Sequence, residues 1–442
     1  MSHKGTIENK RSSSGSSSSR AAYSAKPVLR VITGESEFSA LKNEWEDLVD
    51  KSDTTVFQTY QWNHTWWKHF CHDKELHIIT IYSDQLLIGI IPLFVDTIEI
   101  LQHRIYSCLR LLGSTVSQPA GENLKGLKPY SDYLDVIVRP GYEETVIQPV
   151  LEHLVDKIPD YDETILDEVS ENSLVISHLL PALKKENMPY YAEDSSVCPI
   201  VELDETWDAY LDSLSKRSRF HARKFIKRAY KPGYKVFDLV QAKDPDELLN
   251  SYNYLVELHQ KRWNDSGQPG VFAEKRYYDF LKEIIVHFSA RGWLQLQVAK
   301  AVEEEGSPVA VDLLFKFNRR LYLVQRAYDV HSESNTYGPG NVLLYDAIRK
   351  GIEEGFNVFD FLRGDEAFKF RTAEEVINNR RITISSLRYT SQIKNKSVKK
   401  FTAVRRRFTL ETDKFKLMFD GKSFAGGLST YLQFMYKRIT GC

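Results

Sequence analysis

LQLQVAKAV (Leu294–Val302), VAVDLLFKF (Val309–Phe317) and LYLVQRAYD (Leu321–Asp329) follow one another closely, and what they and the residues up to Arg371 form decides the fold. The first alternates apolar and polar side chains, the pattern of a half-buried strand. EEEGSP and Asn318-Arg319-Arg320 are turns, so the three strands form an antiparallel meander. HSESNTYGPGN (His331–Asn341) is a loop. VLLYDAIRKGIEEGF follows as a helix with Val342, Leu343, Ala347, Ile348 and Ile352 on one stripe. VFDFL (Val358–Leu362) returns as a short buried strand and runs into the polar cluster RGDEAFKFR (Arg363–Arg371). A strand reached through a helical crossover lies parallel to the one before it, with right-handed connection. The sheet is therefore mixed: a meander leading into one parallel crossover.

Gly338 and Gly340 open the crossover helix. A helix N-terminus leaves backbone N–H groups unpaired and carries the positive end of the dipole, so it can bind phosphate. Glycine lets the backbone approach closely. Pro339, between them, has no N–H to donate. A plain turn is the competing reading. A dinucleotide-binding reading competes as well, because Asp360 follows the glycines at a suitable distance. It suffers from Leu343 at the third glycine position and from a long loop where a tight turn is required.

The mixed sheet with its glycine loop resembles the GNAT acyltransferase fold. Gly340-Asn341-Val342-Leu343-Leu344, Ala347-Ile348, FDFLRGDE (Phe359–Glu366) and Phe368-Lys369 resemble the CelD-like branch of it, which is related to the Fem-type aminoacyltransferases. The likeness extends to VFQTYQWNHTWWKHF (Val56–Phe70) and the basic segment near Lys216, and so spans about Val28 to Tyr389. It implies an α/β protein of two tandem GNAT-like domains with mixed sheets. The expected layout is a disordered Ser-rich tail at 1–26, an N-terminal GNAT-like domain at 27–203, a C-terminal acyltransferase domain at 204–390 and a basic helical extension at 391–442. It also implies acetyl-CoA or another acyl-CoA as co-substrate, held by Gln325, Gly338, Gly340 and Asn341 between two splayed parallel strands. Relatives commonly carry Tyr before the lysine; here Phe368 supplies no phenol.

Composition agrees with an ordinary globular chain: 442 residues, 59 Lys and Arg against 60 Asp and Glu, and 42% hydrophobic. Near-zero net charge argues against wholesale nucleic-acid wrapping. No apolar run approaches the ~20 residues that cross a bilayer. The N-terminus lacks the apolar core of a secretory signal, and Cys71, Cys108, Cys198 and Cys442 show no paired spacing. These features together predict a cytoplasmic protein. His64, His69, Cys71 and His72 fit no common metal spacing, so no metal is expected. HExxH, GxSxG and the phosphate loop ending in Gly-Lys-Ser/Thr are all missing from the sequence.

Two clusters carry the expected chemistry. Acyl transfer from a thioester to an amine needs a base for the ammonium proton, donors for the oxyanion, and alignment. Asp360, Asp365 and Glu366 are candidate bases, with Asp360 first because a carboxylate in a buried strand is costly without a task or a partner. Lys369 and Arg371 either bind an anionic acceptor or pair with those acids. SKRSRFHARKFIKRAYKPG (Ser215–Gly233) places eight Lys and Arg on one wide arc, opposite Ala222, Phe225, Ile226 and Ala229. It is either a solvated face or an anion site through Arg219, Arg223 and Lys227. The expected function is transfer of an acyl group, in the first instance acetyl, to an amine or hydroxyl of a small, glycan-linked or lipid-linked acceptor in envelope or polysaccharide synthesis. Two alternatives stay open: a Fem-type transferase using charged tRNA, and a catalytically silent binding module.

Overall fold

The computed structural model describes residues 26–71, 74–100, 103–114, 131–156 and 161–385. The Ser-rich tail, Pro119-Ala120-Gly121, His72 and the basic extension at 391–442 lie outside the described residues. In chain order the first stretch gives β1 (Val28–Ile32), α1 (Glu35–Ala40), α2 (Lys42–Asp50), α3 (Tyr60–Phe70), β2 (Glu75–Ser83), β3 (Leu86–Ile100), β4 (His103–Leu111), β5 (Ile137–Val138), α4 (Glu143–Asp156), β6 (Glu163–Ser170), α5 (Leu180–Lys185) and β7 (Tyr190–Glu202). The second gives α6 (Trp207–Ser213), α7 (Lys216–Tyr230), β8 (Phe237–Gln241), α8 (Pro245–Asp265), α9 (Lys275–Ala290), β9 (Leu294–Ala301), β10 (Ser307–Phe317), β11 (Arg320–Tyr328), α10 (Pro339–Glu353), β12 (Val358–Asp360) and β13 (Glu375–Ser385).

The meander forms as read: β9, β10 and β11 are antiparallel neighbours, and β12 lies parallel to β11. Asn318 and Arg319, both at positive φ, close the β10–β11 hairpin with the backbone twist that suits flanking strands. Asp84 and Gln85 do the same between β2 and β3. Some boundaries differ from the sequence reading. LLIGIIPLFV and the described start of IEILQ, to Ile100, form one long strand, β3, because Asp96 inside it is paired by Lys74 and Arg110 and so need not break it. DYLDVIV contributes only the two residues of β5, as Asp135 turns away to accept from the N–H groups of Leu174 and Val175.

All the described strands join in a single 13-stranded mixed sheet in the order β1-β2-β3-β4-β6-β13-β7-β12-β11-β10-β9-β8, with β5 on β3. Residue 204 falls between β7 and α6, but the sheet does not stop there. β7 is antiparallel to β12 at Ile200–Glu202 and to β13 over most of its length. β13, the last described strand, crosses back to lie between β6 and β7. Its Ile382 and Ile384 are buried with Leu166, Val169 and Leu183 of the first stretch. The core is shared too. The α3 tryptophan Trp62 packs edge-on to Phe57 and to Phe280 of α9, with both centroid distances 5.0 Å, and lies 5.9 Å from Phe315 of β10. Burial of aromatic faces of this size from both stretches ties them into one body.

Candidate functional site

β11 and β12 are paired only from Arg320–Val358 to Tyr322–Asp360. The chain then turns at Leu362, whose φ is 54°, and the N–H groups of Phe361 and Gly364 donate to Pro199 and Val197 of β7. β11 runs on to Tyr328 without β12 beside it. A bulge at Val324 marks the same place, because Leu313 faces Gln325 while Leu314 faces Leu323. Val324, Gln325 and Arg326 are half-buried there, whereas Leu321 to Leu323 are buried. Gln325 donates to the Tyr277 hydroxyl of α9 at 2.9 Å. Arg326 forks onto Asp312, which is fully buried, at 2.7 and 2.5 Å. A gap between parallel strands thus opens toward the polar cluster.

The glycine loop stands over this gap. Gly338 is left-handed (φ 67°, ψ 60°) and caps α10, with Pro339 in the first turn. A Cβ on Gly338 would come within 3.0 Å of Phe225, while one on Gly340 would meet only the Arg326 side chain, at 3.6 Å. The N–H groups of Asn341 and Val342 both turn back to the Gly338 carbonyl, which leaves Gly340 to offer the N–H at the tip. With the α10 dipole and Arg326 beside it, the tip suits a phosphate, through fewer amides than an open loop would give.

α7 packs on α10 at this end. Phe225 stacks on Tyr345 with rings 5.8 Å apart, and Arg228 donates to the Tyr337 carbonyl. Of the three basic residues picked out in the sequence, Arg223 and Lys227 are exposed. Arg219 is turned inward: it donates to the Asp212 carbonyl at 2.9 Å and pairs with the Asp212 carboxylate at 3.1 Å. That pairing ties α6 to α7.

The polar cluster divides into a buried and an exposed part. Asp360 has no exposed surface; it accepts from Tyr133 and Arg320, both at 2.8 Å, and from the Leu362 N–H at 2.8 Å. Burial pushes its carboxyl up, opposed by the Arg320 guanidinium. Asp360 thus lies in a buried strand, as the sequence reading has it, and both of its oxygens have partners that anchor the strand end. Lys369 is also buried; its ammonium donates to the Leu362 and Arg363 carbonyls at 3.2 and 2.6 Å and pairs with Glu366 at 3.0 Å. These partners take all three donors of an ammonium, so Lys369 holds the loop and pairs with one of the acids of the cluster. Asp365, Glu366 and Arg371 are exposed.

The first stretch supplies a group the sequence reading missed. Arg363 reaches across to it: Nε lies 2.9 Å from Asp132 Oδ1, Nη2 donates to the Ser131 carbonyl at 2.7 Å, and Nη1 is 3.4 Å from Glu168. Asp132 is 3% exposed, and burial, partly opposed by Arg363, pushes its carboxyl up to about 6. Tyr277, beside Gln325, is pushed up to about 12 by burial and stays neutral. Nothing in the local sequence marks Asp132, since its partner lies on another element far along the chain. The first stretch has its own parallel pair, β4 and β6. Gly113 is a turn packed on Ser131, and α4 begins with Glu143 and Glu144, whose carboxylates already complement the dipole. Among the described residues no group of three or more His, Cys, Asp or Glu is placed to hold a metal ion. His69 hydrogen-bonds Glu283 at 2.9 Å, and His64 stacks on Tyr60. No helix among the described residues is long and apolar enough to cross a membrane.

Residues 216–370 match a family model described as an acetyltransferase (GNAT) domain. No curated protein matches the chain. Among solved structures the chain is similar to FemX, at 13% identity over 79% of this chain and 96% of that one, with a TM-score of 0.51. It is also similar to L-PGS from Bacillus licheniformis, at 14% identity over 80% and 94% of the two chains and a TM-score of 0.45. A tandem GNAT protein from the clavulanic acid biosynthesis pathway gives 11% identity over 80% and 98%, with a TM-score of 0.40. The chain therefore shares the fold of FemX, and its residues 216–370 match an acetyltransferase (GNAT) domain.

Proposed function

We propose that the chain is an acyl-CoA-dependent acyltransferase that moves an acyl group, in the first instance acetyl, to an amine or hydroxyl acceptor. Envelope or polysaccharide precursors are the acceptor class, as for the CelD-like enzymes that FDFLRGDE resembles. One observation carries the reading: the β11–β12 pair ends after three residue pairs, and Gly340 in the first turn of α10 packs beside Arg326 on the part of β11 that runs on without β12. An acyl-thioester arm can reach the interior there while the coenzyme phosphates stay on Gly340 and the helix dipole.

Transfer to an amine forms a C–N bond, breaks the thioester C–S bond and moves one proton from nitrogen to the departing sulfur. Gln325 and the neutral phenol of Tyr277 are uncharged polar groups at the gap and serve the thioester oxygen and sulfur. Asp132, with a carboxyl that titrates near neutral pH, takes the amine proton, and Arg363 holds it in place. Asp360 positions the strand end. Asp365, Glu366 and Arg371, on the exposed rim, contact the acceptor.

The test has two readings. Titration calorimetry with acetyl-CoA should show binding that Gly340→Val abolishes while the melting temperature is kept. Release of free thiol from acetyl-CoA should then be followed with amino sugars and sugar alcohols as acceptors. A folded wild-type protein that neither binds acetyl-CoA nor releases thiol overturns the proposal.

A further inference from the structure

We infer that the outer face of α7 docks on an anionic lipid surface. The inference stands on α7 alone and does not depend on the acyl-transfer reading. Helix spacing puts Lys216 and Arg217, Phe220, Arg223 and Lys224, Lys227 and then Lys231 on one stripe, each step three or four residues from the last. Over fifteen residues the stripe is about 22 Å long, at 1.5 Å per residue. All six cations are exposed. Among the described residues none of the six is in an ion pair; the nearby acids Asp212 and Asp238 pair with Arg219 and Lys235 instead. Lys231 lies over the Tyr234 ring at 4.7 Å. Six like charges on four turns repel one another unless a counter-charge lies opposite.

Two exposed rings decide what kind of counter-charge fits. Phe220, in the middle of the stripe, is 65% exposed, and Tyr234, at its end, is 62% exposed. The inward face of α7 is already covered by α10 and α6, through Ala222, Phe225 and Ile226. Phe220 therefore lies on the outer face of α7, among the exposed cations. A helix face with cations around an exposed ring complements a plane that is charged at its surface and apolar just beneath it, as an anionic bilayer is. A nucleic-acid strand is better served by a concave groove with aromatic platforms. Four of the six cations are lysines, compact charges suited to a diffuse field more than to forked recognition of single phosphates.

The experiment is co-sedimentation of the full chain with phosphatidylcholine vesicles, with and without added phosphatidylglycerol, at about 50 and about 500 mM salt. The proposal expects binding only to the anionic vesicles, weakened by salt. Each charge removed should lower partitioning about five-fold, so Arg223→Gln, Lys224→Gln and Lys227→Gln together should lower it ~100-fold whatever residues beyond 385 contribute. Phe220→Ser should lower it further without changing the salt dependence. All four positions are on the surface, and an unchanged circular dichroism spectrum checks that the variants are folded. The proposal is overturned by equal binding to neutral vesicles, by a triple variant that binds like wild type, or by a protein that ignores vesicles and binds a single-stranded polynucleotide.

Discussion

Asp360 and Asp132 show how one residue type takes opposite roles from its surroundings. Asp360 has three donors on its two oxygens and no exposed surface. Asp360→Asn removes the charge that balances Arg320 and presents an amide to groups that already donate. Breaking a buried pair costs roughly 3–5 kcal/mol, and the partial exposure of Arg320 reduces that to about 2–4. The melting temperature should fall by several degrees while turnover per folded molecule stays near wild type; a large loss of turnover at an unchanged melting temperature would instead make Asp360 catalytic. Asp132 faces the opposite test. Its folded-state pKa, about 6, lies above the ordinary carboxylate value, so the folded protein holds a proton that the unfolded chain releases. Its contribution to stability is therefore greatest below about pH 4 and declines as pH rises to about 6, by about 3 kcal/mol at most. As a base it works only when deprotonated, so kcat/KM should rise through about pH 6. Asp132→Asn should abolish that limb of the profile and flatten the stability decline; a profile unchanged by the substitution removes Asp132 from the mechanism.

At the scale of the element, the two glycines of the loop do different work. Gly338 holds a left-handed φ that other residues reach at a cost of about 1 kcal/mol, and a Cβ there would crowd the Phe225 ring at 3.0 Å. Gly338→Ala should lower stability and disturb the contact between α7 and α10. Gly340 is in ordinary helical conformation with space beside Arg326, where alanine is better than glycine by up to about 1 kcal/mol. Gly340→Ala should therefore raise the melting temperature slightly while weakening acetyl-CoA binding. A gain in stability with unaltered affinity would show that the tip N–H of α10 is not a phosphate site. The loop was legible in the sequence because glycine at a helix start has a local meaning. That Asn341 and Val342 turn back on the Gly338 carbonyl was not, since it depends on how Phe225 and Arg228 press the loop from α7.

Across the whole molecule, the decisive feature is the placement of β13 and β7. β13 buries Ile382 and Ile384 in the core of the first stretch, and β7 closes the edge of β12. Trp62, Phe280 and Phe315 then weld the two stretches from the helical side. Removal of residues 375–442 should thus unfold the core around Leu166 and Val169, although every residue of that core outside β13 is retained. Limited proteolysis and a calorimetric scan would check this. A truncated chain that melts in two transitions, one of them at the wild-type temperature, would mean that the stretches fold separately. Arg363→Ala should loosen the same junction by removing the clasp on Ser131 and Asp132.

The meander, the parallel crossover, the glycine loop and the basic amphipathic helix all follow from local pattern: alternation at period two, a stripe at period 3.6, glycines at a helix start. Those signals reside within a few residues of one another, so the sequence alone determined them, and with them the mixed sheet and the class of fold. Tertiary structure decided which charged groups are buried and paired, because that depends on partners distant in the chain. Asp360 meets Tyr133, Arg363 meets Asp132, and Arg219 folds back on Asp212. It also decided where β13 goes. A strand's pattern shows which face is apolar but not which of two open sheet edges will receive it.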